Sequence, residues 1–175
     1  GTATVDLFAP GTGTDISTSV MVPGDGDGDP PVGFPLCYCT TFDAPCNNDY
    51  SQGGCENSLG YGAILSATGS EMIANDNLTL HVIQARPNKS CAWLQGATFI
   101  QNAFRDGNLC VGNPTERMAI QTLDGTGALS TDFSIVTEGH ITSPGSYFYQ
   151  LWYRDGGGPC GQMSNLSNAV RIDWQ

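Results

Sequence analysis

Four of the seven cysteines stand within nineteen residues, at Cys37, Cys39, Cys46 and Cys55, and the other three follow at Cys91, Cys110 and Cys160. Thiols this crowded would misreact in a reducing cytosol, whereas outside it they persist as disulfides worth roughly 2–4 kcal/mol each. The spacing therefore predicts a secreted chain, extracellular or at the cell surface, held by disulfide bonds. A zinc site would need CxxC pairs or neighbouring histidines, and Cys37-Tyr38-Cys39 followed by Cys46 and Cys55 supplies neither.

A chain of 175 residues is long enough for one domain that buries its own core. Its 17 acidic and 6 basic residues leave a formal charge of −11, a field that repels phosphate backbones and anionic lipid heads. No nucleic-acid partner is expected, and the charge reads as a solubility device. No apolar run approaches the ~20 residues of a membrane span, so no membrane insertion is expected either. The sequence begins at Gly1 without an initiator Met or a basic, apolar leader, which reads as a mature or trimmed product.

Thr, Val, Ile, Tyr and Phe recur in short runs bounded by Gly, Pro, Asn and Asp, and no stretch beyond about 10 residues keeps a helical apolar period. The predicted fold is all-β, a disulfide-stapled two-sheet β-sandwich of about nine short strands with an N-terminal strand extension. Strands are expected at Thr2–Phe8, Thr18–Val22, Gly62–Thr68, Asn77–Ile83, Ala97–Phe104, Arg117–Leu123, Phe133–Thr137, Tyr147–Arg154 and Ala169–Trp174. Asp106-Gly107 and Asp124-Gly125 are hairpin signals, because Asp-Gly tolerates the positive φ angles of tight turns. Alternation along 147–154 sets Tyr147, Tyr149, Leu151 and Tyr153 on one face and Phe148 and Trp152 on the other. Both faces are apolar, which predicts a central strand with its aromatic rings in the core.

Residues 1–35 read as a strand extension with a Gly/Asp/Pro linker, and residues 36–175 as the disulfide-bonded sandwich. The extension holds two alternating segments, Ala3, Val5, Leu7 and then Ile16, Thr18, Val20, Val22, followed by Gly24-Asp25-Gly26-Asp27-Gly28-Asp29-Pro30-Pro31. Left alone in water, an apolar strand face costs about 1.5–3 kcal/mol for each exposed side chain, and its amides need a sheet edge. Docking onto its own body is one solution. Docking onto another copy is the other, since a linker of roughly 25 residues extends to about 80 Å. Strand addition of that kind is head to tail and propagates as a filament.

Gly54-Cys55-Glu56-Asn57-Ser58 closes the cysteine cluster and leads into Gly60-Tyr61-Gly62-Ala63-Ile64-Leu65-Ser66-Ala67-Thr68-Gly69-Ser70. Asn77-Leu78-Thr79-Leu80, Leu94-Gln95-Gly96 and Gly107-Asn108-Leu109-Cys110-Val111-Gly112 follow, then a tail from Tyr149-Gln150-Leu151-Trp152-Tyr153-Arg154-Asp155 through Pro159-Cys160 to Asn165-Leu166-Ser167-Asn168-Ala169-Val170. Through these motifs, residues 37–174 resemble a cysteine-containing domain at the C-terminal ends of large exported proteins of planctomycetes and related environmental bacteria. The resemblance implies export, a compact β domain and a C-terminal module, and it names no activity or catalytic residue. This chain departs from it at Cys91, where the family has a small polar or apolar residue, and residues 1–35 lie outside it. The comparison leaves Cys37, Cys39, Cys46, Cys55, Cys110 and Cys160 for three bridges, with 15 connectivities open. Cys110 and Cys160 flank late elements of the body and are expected to pair, which leaves two bridges inside the cluster. Cys91 is then spare, as a buried free thiol or as a link to another chain.

Asp25, Asp27 and Asp29 alternate with glycine, an arrangement able to gather carboxylates around calcium. The EF-hand pattern fails, because Pro30 stands where its turn glycine belongs and Leu36 where its bidentate glutamate belongs. A flexible acidic linker is the simpler reading, and no other cofactor is expected. His81 and His140 accompany neither GxSxG nor HExxH, so both read as structural and no enzyme is expected. Asn77, Asn88 and Asn165 open N-x-S/T triplets to which surface glycan could attach. The expected function is that of an exported structural subunit of an extracellular or cell-surface assembly, its partners being other copies of itself. The alternative is a secreted carbohydrate-binding module in which Trp93, Trp152 or Tyr61 stacks on sugar rings.

Overall fold

The computed structural model describes residues 31–175. Ala3, Val5, Leu7, Ile16, Val20, Val22, Asp25, Asp27 and Asp29 lie outside the described residues. The described chain is a nearly all-β, two-sheet sandwich stapled by three disulfides. One sheet has the order β1 (Phe34–Leu36), β8 (Ser164–Trp174), β7 (Gly145–Arg154), β4 (Ser90–Phe104), β5 (Gly107–Thr122), and every neighbour is antiparallel. The second has the order β2 (Ile64–Thr68), β3 (Thr79–Ile83), β6 (Leu129–Ser130). The sandwich already includes Val32, whose amide donates to Ala67 O at 3.0 Å, and β1 starts ahead of residue 36.

Alternation of side chains across each strand places the core between the sheets. Leu65 and Ala67 of β2 and Leu80 and Val82 of β3 face Trp93 of β4, Tyr149, Leu151 and Tyr153 of β7, and Val170, Ile172 and Trp174 of β8 in one buried cluster. The expected alternation of β7 is thus realised, and β7 lies between β8 and β4 as a central strand. Its polar atoms are met inside the core, where Trp174 Nε1 donates to the Tyr149 hydroxyl at 2.9 Å. His81 is a structural histidine, its ring nitrogens at 2.8 Å from Thr68 Oγ1 and 2.7 Å from Ser130 Oγ.

The hairpin of β4 and β5 does something that its sequence did not announce. β4 pairs with β7 only from Cys91 to Gly96, and three register shifts interrupt its ladder with β5. Gly96 and Gly112 meet at the bend, where a Cβ on Gly96 would lie 2.6 Å from Gly112 O. Beyond it the hairpin doubles back over the outer face of β7 and β8. Phe99 packs on Phe148 at 5.8 Å between ring centroids and Phe104 on Trp152 at 5.9 Å. Cys110 packs on Ala169 and Cys37, and the Asp106 amide donates to Ser164 O at 3.1 Å. Both faces of β7 and β8 are therefore covered, which explains why ten strand residues with apolar character on both sides are stable there.

Several expectations are corrected. Residues 133–137 are not a strand: Ile135–Glu138 form a short helix, α1, because the Ser134 hydroxyl caps it by accepting from the Thr137 amide at 2.9 Å. The β4–β5 turn is Arg105-Asp106, one residue earlier than expected, with φ of 61° at Arg105, and Gly107 is the first residue of β5. Asp124-Gly125 makes a tight turn, in which Asp124 Oδ1 accepts from the Thr126 and Ala128 amides at 2.7 and 2.9 Å, but the chain passes to the other sheet and no hairpin forms. The Cys110–Cys160 pairing is also overturned. The bridges are Cys37–Cys110, Cys39–Cys55 and Cys46–Cys160, so only one closes within the cluster and the other two tie it to the hairpin and to the turn before β8.

Cys91 is the free thiol, buried against the core with its Sγ 3.5 Å from Gln121 O. Burial pushes its pKa up to about 11, only partly offset by that carbonyl contact. Thiolate is then scarce at neutral pH, so native protein treated with iodoacetamide near pH 8 should stay unlabelled while unfolded protein takes up one adduct. Rapid labelling of the native chain would show that this side chain is exposed.

Candidate functional site

Two places in the described chain combine unusual geometry with reactive or unpaired groups. The first is the outer edge of β5. Among the described residues β5 pairs on one side only, with β4. Pro114 lacks an amide and divides this edge, leaving Thr115–Thr122, a run that carries a bulge at Met118. Ile120 is 65% exposed there, an apolar side chain on an open edge. Beside it an open depression of about 170 Å³ is lined by Ala92, Arg117, Ile120, Trp152 and Arg154 together with their neighbours. The Arg117 guanidinium lies over the Trp152 ring at 5.7 Å. Two of the six basic residues of a chain with net charge −11 thus meet in one depression, which makes it a local attractor for carboxylates.

The second place is the tip of the doubled-back hairpin. Asp106 and Asp155 are both fully buried. The Gln162 amide donates to Asp106 Oδ1 at 3.0 Å, while Asp106 Oδ2 has no hydrogen-bond partner. Asp155 is held by Ser58, whose amide donates to Oδ2 at 2.9 Å and whose hydroxyl donates to Oδ1. Burial pushes the Asp106 carboxyl above its ordinary value and the negative charge of Asp155 adds to this, while the backbone amides of Gln162 and Cys160 pull it back. The cover is thin and made of the turn from Gly156 to Gln162, pinned by the Cys46–Cys160 bridge. Burial also raises the Tyr153 hydroxyl, with Asp155 and Asp106 adding to the shift, so the two carboxylates act on the core as well.

The residues expected to bind sugar do not form a platform. Trp93 is fully buried between the sheets and its Nε1 donates to Gln121 Oε1 at 2.6 Å, so it offers no surface for stacking. Trp152 is half-buried, with Phe104 at one side and Arg117 over its ring, and Tyr61 is half-buried in the loop before β2. Asn165 is likewise corrected as a glycan acceptor: it is fully buried and its Nδ2 donates to Cys55 O and Glu56 O at 3.1 and 3.0 Å. Asn77 and Asn88 are exposed. His140 is exposed, its Nδ1 3.8 Å from Glu116 Oε1.

Sequence reasoning missed Arg117, Ile120 and Arg154 because they converge from two strands, and it treated Asp106 only as a turn residue. The one legible sign of the second place was Asp155-Gly156-Gly157-Gly158, three glycines directly after an aspartate. Comparison with known proteins finds no matching family model, no matching curated protein and no matching solved structure.

Proposed function

We propose that the chain is an exported structural subunit of an extracellular or cell-surface assembly, in which residues 2–22 of one copy add a strand to the open edge of β5 in the next. The observation that carries this reading is the placing of the two edges. The described chain enters the sandwich at Val32 and β1, one edge of the five-stranded sheet, and the open edge of β5 is the opposite one. About 19 Å of strand spacings separates them. A donor leaving at one edge and an acceptor at the other make a heterologous contact, which propagates in one direction. β1 is a poor acceptor itself, with three residues and Pro35 at its centre.

Two further features favour this occupant. The run Thr115–Thr122 accommodates a ribbon of the length of Thr2–Phe8 or Ile16–Val22, and Ile120 offers it an apolar contact. Arg117 and Arg154 complement the acidic stretch Asp25, Asp27 and Asp29. Three disulfides fit an oxidising, extracellular compartment. The alternative, a carbohydrate-binding module, now rests on Trp152 and Tyr61 without Trp93.

Sedimentation velocity of the full chain from micromolar to millimolar concentration tests the proposal. A series of species that grows with concentration is expected, and Ile120→Asp should weaken the association at least tenfold while leaving the melting temperature nearly unchanged. A full chain that stays monomeric throughout would end the assembly reading.

A further inference from the structure

The outer face of the five-stranded sheet carries cations that no carboxylate of the described chain answers. The Arg105 guanidinium lies over the Phe104 ring at 5.6 Å, Phe104 meets Trp152 edge-on at 5.9 Å, and Arg117 lies over Trp152 at 5.7 Å. Arg154 lines the depression beside Arg117 and Trp152. Three of the six basic residues thus gather around two rings, and all three are exposed. Among the described residues the ion pairs are His140–Glu116 and Arg171–Asp173, so none of the three is paired, in a chain with 17 acidic residues. The aspartates that follow Arg105 and Arg154 in sequence are buried, Asp106 accepting from the Gln162 amide and Asp155 from the Ser58 amide.

A guanidinium on a ring stabilises an exposed site by about 0.5–1 kcal/mol. That accounts for Arg105 and Arg117 but not for Arg154. The Trp152 Nε1–H is a further donor without an acceptor, and no Asp or Glu lines the depression. The place is rich in donors and poor in acceptors, and an anion supplies what is missing.

Its shape narrows the kind of anion. A cavity of about 150 Å³ admits a benzene ring, so the open depression of about 170 Å³ has room for one six-membered ring. Its floor crosses the strands, from Arg117 and Ile120 of β5 over Ala92 of β4 to Trp152 and Arg154 of β7. β4 is paired on both sides there, so a peptide laid across it would find no main-chain groups to bond. A pyranose needs none: its C–H face can cover Ile120 and Ala92 while a ring carboxylate meets the planar guanidinium fork with both oxygens. The net charge of −11 opposes a densely charged phosphate polymer. A single carboxylate per sugar feels mainly the arginines beside it, since charges beyond about 8 Å are screened at physiological salt.

We propose that this depression binds a uronic-acid unit of an acidic polysaccharide, its carboxylate held by Arg117 and Arg154, with Arg105 serving a following unit. The inference deepens the carbohydrate-binding reading and rests on it, and it asks nothing of the assembly.

Tryptophan emission of the full chain, titrated with trimers of galacturonate, mannuronate and glucuronate at about 50 mM salt, is the test. Trp93 and Trp174 are buried, so a ligand that draws Arg117 off its ring is read through Trp152. At least one trimer should give a saturable change. Arg117→Gln with Arg154→Gln should weaken it at least tenfold at a nearly unchanged melting temperature, and neutral galactotriose should give none. No response to any of the three trimers up to about 10 mM overturns the proposal. So does an equal response to galactotriose, an undiminished one in the double variant, or tighter binding of a sulfated galactan trimer. Uronate binding that appears only with Asp25→Asn, Asp27→Asn and Asp29→Asn would make the acidic linker the occupant, and also overturns it. Sedimentation of the same samples keeps the two readings apart, because a monomeric chain that binds uronate ends the assembly alone, and a chain that assembles without binding it ends this proposal alone.

Discussion

Serine at both Cys46 and Cys160 lowers the unfolding free energy by about 4 kcal/mol. The direct sequence separation of this pair is 114 residues, but the Cys37–Cys110 bridge shortens the ring that it closes. With it intact, the path runs back along the chain from Cys46 to Cys37, across to Cys110 and on to Cys160, which is about 60 residues. Removing Cys37–Cys110 opens the same ring, so that variant should lose nearly as much. Cys39–Cys55 closes only a 16-residue separation and should cost about 3 kcal/mol. Guanidinium midpoints of the three double-serine chains, compared at constant denaturant slope, read the order directly. If the Cys39/Cys55 variant were the least stable of the three, the ring argument would be wrong.

Gln150→Leu is expected to cost about 3–5 kcal/mol although the two side chains are close in size. Gln150 is fully buried on the outer face of β7. Its Oε1 accepts from the Cys110 amide at 2.9 Å, and its Nε2 donates to Asn108 O and Ser167 O, both at 2.8 Å. One amide group therefore joins three strands: β7, the doubled-back part of β5, and β8. Leucine would strand one donor and two acceptors in a dry setting, each costing about 1–3 kcal/mol before relaxation. Equilibrium denaturation measures the loss, and faster exchange of the Cys110 amide hydrogen locates it. A leucine variant within about 1 kcal/mol of the parent would show that water reaches this seam.

The legible part of the fold was whatever repeats along a single strand. Leu80 and Val82, or Tyr149, Leu151 and Tyr153, announce their buried face through alternation alone, and the core contains them as expected. Ile135 and Val136 are β-branched and looked like strand, yet one hydroxyl at Ser134 and the surrounding packing override that local preference. The bend of the hairpin was hidden because Gly96 and Gly112 carry meaning only when paired across a ladder, and nothing in a one-dimensional reading pairs them. The bridge pattern was illegible for the same reason: Cys110 is brought to Cys37 by that bend. Gly107, read as a turn residue, owes its place to the close approach of Asn165. The candidate sites follow suit, since Asp106 and Asp155 lie at the two ends of a long loop-closing path, and Arg117 meets Trp152 and Arg154 only across β4.

β8 sits between β1 and β7, so the strand nearest the end of the described chain occupies an interior position in its sheet. During synthesis β1 would wait for Ser164–Trp174 before it could join its sheet, although β4, β5 and β7 pair with one another without it. Long-range pairing of this kind is slow, on the order of milliseconds to seconds. Until then Cys37, Cys46 and Cys110 would meet oxidant as an open chain, and the late arrival of β8 would place Ala169 and the Cys160 turn where the correct sulfur partners can find each other. The place of β8 thus decides when Cys37, which follows β1, can be held beside Cys110.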